Sequence, residues 1–185
     1  MAIDAANAVD PNLINGRARA LVQGERATAW LARLHPDAHD ALALAVRAHH
    51  VQRWTLARSS YPDGRAGYLR WRRDLKDVHA GVLGEVLPGC GIDSEIVERA
   101  QALVAKRGPQ RTPDAQAFEN VVCLVFLETQ FEDLIDKLDD QKMIDVLRKT
   151  LPKMSPAAVA LAATAELHPR GRELLTRAAT STEQS

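Results

Sequence analysis

The chain is short of the residues that most often announce a function. It has two cysteines in 185 residues, Cys90 and Cys123. One sits in a Pro-Gly-Cys-Gly turn and the other in an apolar run. That spacing offers neither a paired metal site nor a disulfide framework, and reduced thiols in a cytoplasmic protein are expected. Aromatics make up 4% of the chain. No apolar run approaches the ~20 residues of a spanning helix, so no membrane partner is expected. The start, MAIDAANAVDPN, lacks a basic stretch followed by an apolar one, and no signal peptide is read there. Charge of one sign is also missing: 24 Lys and Arg balance 24 Asp and Glu. No overall field then draws the chain to nucleic acid or membranes, nucleic acid is not an expected partner, and any anion site must be a local patch. There is no glycine-rich phosphate loop and no serine elbow. Lys153-Met154-Ser155 has the look of a synthetase loop, but the second lysine and the parallel-sheet setting are absent.

What is abundant is Ala and Leu, within a hydrophobic content of 46%. With few β-branched clusters, this composition favours helices. The punctuation predicts helix after helix. One covers 24–34 and stops before Pro36. A second covers 37–57 with Asp37 as N-cap. A loop over 58–64 carries Tyr61-Pro62 and Asp63-Gly64. A third helix covers 66–87, and a fourth runs from the Asp93 cap to 106. Thr112-Pro113, a cap with proline at the first helical position, opens a fifth to 138. A sixth starts at Asp139 or Asp140, and a seventh runs from Ser155-Pro156 to about 168. The expected fold is all-α: one helical bundle of about seven helices over 1–177, with a disordered tail over 178–185.

Chemistry concentrates in the segment 47–80, RAHHVQRWTLARSSYPDGRAGYLRWRRDLKDVHA. It holds His49, His50 and His79, Trp54 and Trp71, both tyrosines and seven arginines. On the third helix, Tyr68, Trp71, Leu75, Val78, Val82 and Val86 form an apolar stripe that His79 joins. Trp71 and Leu75 are therefore expected in the core. On the second helix, Arg47, His50 and Trp54 flank the core stripe, while His49 turns about 100° away toward solvent. Antiparallel packing of the two helices would bring His50 and His79 together. Two histidines and a carboxylate from another helix are a ligand set for a divalent metal such as Mn, Fe or Zn. The carboxylate would be Glu119 or Glu128, which bracket the apolar run 121–127 on opposite faces of the fifth helix. The competing reading is two unrelated core histidines. Arg47, Trp54, Arg58, Tyr61, Arg65 and Arg72 are candidates to hold an anionic small molecule, because guanidinium forks match phosphate or carboxylate oxygens and stack on rings.

RAHHVQRW, Tyr61-Pro62, RAGYLRWR, His79-Ala80, IVERAQALVAKR and FENVVCLVFLE follow one another in order, with GERATAWL and PKMS also in place. Together, over roughly 3–168, they resemble domain-of-unknown-function family 4202. That resemblance implies an all-helical domain and no established activity. Asn120 stands where the family pattern has Asp. A more distant resemblance is to the HD superfamily of helical metal-dependent phosphohydrolases, whose early and second histidines would be His50 and His79. Ala80 occupies the place of the doublet aspartate, and Glu119 or Asn120 lies near the distal one. Two function classes are left open: an HD-like metal-dependent hydrolase of a phosphorylated or other anionic small molecule, and a non-catalytic anion-binding domain whose histidines are structural.

Overall fold

The computed structural model describes residues 1–109, 111–131, 134, 138–165 and 167–180. The chain forms two compact units, Met1–Phe118 and Glu119–Ser185. In the first, α1 (Ala2–Ala8) leads into a hairpin of β1 (Leu13–Ile14) and β2 (Arg17–Ala18). The pair is antiparallel, with Leu13 opposite Ala18. Its turn is Asn15-Gly16, both at positive φ, the combination a two-residue hairpin requires. Neither α1 nor this hairpin is anticipated by the hydrophobic pattern, because strands two residues long have no period to read. Then follow α2 (Arg19–Leu34), α3 (Asp40–Arg47), α4 (Gly64–Val86) and α5 (Ser94–Val104). The first turn of α2 has no side-chain cap at Ala18. Instead the Ala20 N–H donates to Asp10 Oδ2 at 2.9 Å, which satisfies one of the orphan donors of a helix start.

The second helix departs most from expectation. It starts at Asp40 rather than 37, with the His39 side chain as its N-cap, accepting from Leu42 N–H at 3.3 Å. It ends at Arg47, ten residues before the expected stop. Turns follow, then a 3-10 turn at Arg53–Thr55 entered through Gln52 in the left-handed conformation (φ 50°). Nothing in the residue types forecasts a left-handed glutamine, since glycine and asparagine are the usual occupants. A second 3-10 turn, Arg58–Ser60, precedes α4. In α4, Trp71, Leu75, His79, Val82 and Leu83 are buried. Tyr68 is not: it is 45% exposed, one turn before the point where the helix becomes enclosed.

Packing is set by two close approaches. A Cβ on Gly67 would lie 1.9 Å from the Pro62 carbonyl oxygen, so the loop folds directly onto the first turns of α4. A Cβ on Gly24 would lie 2.8 Å from the Arg47 carbonyl oxygen, so α2 meets the end of α3 backbone to backbone. α5 packs on both α3 and α4, and Gln101 donates to the Ala80 carbonyl at 2.7 Å.

The second unit contains most of α6 (Pro113–Thr129), then α7 (Asp140–Thr150), α8 (Pro156–Ala162) and α9 (Pro169–Thr180). The expected continuation of the fifth helix to 138 falls largely outside the described residues. The expected cap residues Asp93, Asp139 and Ser155 all accept from first-turn N–H groups. Val121, Leu124, Val125 and Leu127 on α6 are buried to within 2%. Asn120 is buried too. Its Nδ2 donates to Ser155 Oγ at 3.0 Å and its Oδ1 accepts from Ser155 N at 2.8 Å, tying α6 to the start of α8. α9 packs on α7, and Arg170 and Arg177 both reach Asp140. His168-Pro169, read from sequence as a helix end, opens this helix. It runs to Thr180, past the expected start of a disordered tail at Ala178, whose residues 181–185 lie outside those described.

Gly24→Ala tests the α2–α3 approach. In an ordinary helix interior this change stabilises by roughly 0.5–1 kcal/mol. Here the new methyl meets backbone, and a loss of about 1–3 kcal/mol is expected in chemical denaturation. A gain in stability would show that the two helices are not held at this distance.

Candidate functional site

The early end of α3 creates the site. Residues 48–52 form turns rather than helix, and the Val51 carbonyl is left to accept a hydrogen bond from a side chain. His79, from α4, donates from Nδ1 to the Val51 carbonyl at 2.7 Å. His49 donates from Nδ1 to the Val46 carbonyl at 2.8 Å. His50 Nδ1 stands 2.8 Å from Gln23 Oε1, beside the Gly24 crossing. An oxygen acceptor at each Nδ1 fixes the proton there and leaves each Nε2 as a lone pair. The rings of His49 and His50 are 4.3 Å apart between centroids, and those of His50 and His79 are 6.1 Å apart.

All three histidines are buried, at 5%, 7% and 4% exposure for His49, His50 and His79. His49 was expected at the surface. That expectation assumed helical geometry, and the helix has already ended. Its Nε2 is buried with no hydrogen-bond partner among the described residues. Burial is the main cause that lowers the His49 pKa to about 4 and the His79 pKa to about 3, with the cationic Arg53 adding to both. His50 is held well below its usual value, chiefly by burial and then by its histidine and arginine neighbours. The cluster is therefore neutral at pH 7.

Beside it lies a cavity of about 220 Å³, lined by Asp10, Asn12, Arg19, Gln23, His50, Arg53 and Trp54, with Ala20. Trp54 sits half-buried at its wall. The Arg53 guanidinium stacks 4.8 Å over the ring of Trp71. Trp71 is itself fixed by a hydrogen bond from Nε1 to the Leu56 carbonyl at 2.9 Å. Burial, then the charge of Arg72, lowers the Arg53 pKa to about 10, with Arg19 contributing. Among the described residues, neither Arg53 nor Arg72 pairs with a carboxylate. Asp10 does not neutralise them. Its Oδ1 accepts from Asn12 N and Nδ2, and its Oδ2 from Ala20 N.

The other residues singled out in the sequence have different partners. Arg47 donates to Asp4 Oδ1 at 2.7 Å and to Thr28 Oγ1 at 3.2 Å, locking α1 and α2 to the end of α3. Arg58 donates to the Tyr61 carbonyl, and the Tyr61 hydroxyl donates to Asp74 at 2.9 Å. These bonds hold the loop on α4. Arg65 is exposed, and Arg72 is half-buried near Arg53. Glu119 and Glu128 are half-buried positions of α6 in the second unit. Among the described residues, no group of three or more His, Cys, Asp or Glu side chains is arranged to hold a metal ion. Sequence reading did not single out Asp10, Arg19, Gln23 or Arg53. For Arg53 the signal was present in its neighbour Trp54. For the others, ahead of the N-terminal hairpin and on α2, there was none.

A larger cleft of about 310 Å³ lies between Leu34–Leu42 and the start of α6. There His39 Nε2 donates to Asp114 at 2.9 Å, and Arg99 approaches the same carboxylate at 3.8 Å. In the smaller cavity, Arg53 has no carboxylate partner among the described residues.

The chain matches the family described as Domain of unknown function (DUF4202) over residues 1–175. It belongs to that family. No curated protein matches it, and no solved structure does. Within this DUF4202 chain, no helix of the described residues is long and apolar enough to cross a membrane.

The neutral histidines give a pH dependence. The unfolded chain protonates histidine below about 6.5, while the folded one keeps His49 and His79 neutral down to about 4 and about 3. Between those limits the unfolded state binds more protons. Stability is then full above about pH 6.5 and falls as the pH drops, by up to ~1.4 kcal/mol per pH unit for each histidine. Urea midpoints should fall from pH 7 to pH 5, and His79→Gln should flatten the slope. A wild-type midpoint constant over this range would contradict the buried neutral cluster.

Proposed function

We propose that this DUF4202 chain binds a small anionic molecule in the cavity lined by Arg19, Gln23, His50, Arg53 and Trp54. One observation carries the reading. The Arg53 guanidinium is partly withdrawn from water against Trp71, beside Arg72, with no carboxylate partner among the described residues. A charge in that position is costly unless something compensates it. A bound anion would do so, and the guanidinium fork suits oxyanions. The pocket's one carboxylate, Asp10, is occupied with backbone donors. Trp54 offers an apolar face for the rest of the ligand. The free thiols, Cys90 exposed and Cys123 buried, fit a reducing cytoplasmic setting.

The test is thermal unfolding against phosphate, sulfate and carboxylate salts at matched ionic strength. Binding to the native state raises the melting temperature by roughly 2–4 °C per kcal/mol of linkage. Wild type should respond to at least one oxyanion, and Arg53→Met should not. No response to any of them would refute the reading.

A second reading makes the chain an HD-like metal-dependent hydrolase of a phosphorylated or other anionic small molecule. It is favoured by His50 and His79, 6.1 Å apart between ring centroids with both Nδ1 atoms anchored on oxygens. That anchoring is what orients a ligating imidazole. The donor set fits only in part: two histidines are one short of the three protein ligands typical of a catalytic zinc site. A bound Mn, Fe or Zn would lower the pKa of a water, with the arginines holding the anion. Elemental analysis decides this reading. Stoichiometric metal that His79→Gln abolishes supports it, and metal-free protein that gains no phosphatase activity with added Mn, Fe or Zn removes it.

A further inference from the structure

We infer that the cavity takes a small anion that carries a hydroxyl group, with Arg53 holding the anionic head and His50 Nε2 accepting from the hydroxyl, an inference that rests on the anion-binding reading above. Two groups on one wall carry it. The Arg53 N–H donates to the His50 carbonyl at 3.1 Å, so the two residues close a single turn, and both line the cavity. Arg53 is a donor with no carboxylate partner among the described residues. His50 is an acceptor in the same condition. It is 7% exposed, and its Nδ1 is engaged with Gln23 Oε1 at 2.8 Å. The proton therefore sits on Nδ1, and Nε2 keeps a lone pair that no described residue uses. An acceptor left empty in a buried ring costs free energy, which a ligand hydroxyl recovers.

The role is recognition rather than proton abstraction. His50 is enclosed beside the rings of His49 and His79 and near the Arg53 charge, and burial holds it well below its usual pKa. Such an imidazole is a weak base, so it holds a hydroxyl without deprotonating it. The half-buried Trp54 gives the ligand's carbon skeleton an apolar face in the same cavity. Two pairs of probes isolate the hydroxyl. Mandelate and phenylacetate share a ring and a carboxylate, and glycerol phosphate and propyl phosphate share a three-carbon ester. Within each pair the charge is equal at pH 8, and only the hydroxyl content differs.

The experiment is calorimetric titration of the full chain with both pairs at pH 8. In at least one pair the hydroxylated member should bind about three- to tenfold tighter, the ratio that one net hydrogen bond gives. His50→Asn keeps a donor where Nδ1 stood and removes the acceptor at Nε2. It should bind the unhydroxylated member as wild type does and cut the preference to within about twofold. His50→Gln, which places an oxygen near the position of Nε2, should retain the preference, and circular dichroism checks that both variants are folded. Equal affinities within both pairs for wild type, a preference that survives His50→Asn, or its loss in both variants alike overturns the hydroxyl inference while leaving the anion-binding reading in place. Failure of all four probes to bind overturns both.

Discussion

The hydrogen bond from His79 to the Val51 carbonyl is the constraint on which the site depends. It exists because α3 stops at Arg47, so the carbonyl of Val51 is not spent inside a helix. It links the long α4 to the irregular segment that follows α3. With that segment fixed, His50 meets Gln23 on α2, and Arg53 comes to rest over Trp71. The tight crossing of α2 and α3 at Gly24 supplies the other half of the geometry, since it sets Gln23 within reach of His50. Burial of the three imidazoles then requires neutrality, and the orientation of each Nδ1 toward an oxygen satisfies that requirement at modest cost.

The combination of neutral histidines and an uncompensated arginine distinguishes this pocket from the larger cleft near His39. There, histidine, aspartate and arginine cancel one another at the surface. In the smaller cavity, Asp10 accepts from Asn12 and Ala20, and Arg53 has no carboxylate partner among the described residues. Charge left over inside a fold is expensive, and a ligand is the economical explanation.

Much of the helical fold was legible in the sequence because its signals are local. Asp93, Asp139, Thr112-Pro113 and Ser155-Pro156 mark helix starts through the side chains of one or two residues. The apolar stripe of α4 buries Trp71, Leu75 and His79 through simple periodicity. The features that build the site are of another kind. The end of α3 depends on a left-handed Gln52, which carries no compositional mark, and extending the helix through it sent His49 to the wrong side. Arg47 reads as a pocket residue by position on a helical wheel, yet Asp4, forty-three residues away, claims it. Tyr68 follows the stripe but lies ahead of the point where the core begins. Asp10 and Gln23 enter the site from the segment between α1 and the hairpin and from α2, and their contributions are wholly tertiary. The His50–His79 approach came from the right pair of residues, although the regular helix pair assumed for it gives way to an irregular segment.

The most direct test of this account is the unfolding free energy of Arg53→Met in anion-free buffer. If Arg53 is held for a ligand rather than for the fold, removing its unpaired charge should leave the protein as stable as wild type or more so. A loss greater than about 2 kcal/mol would mark Arg53 as a structural residue and contradict the claim that its charge awaits an anion.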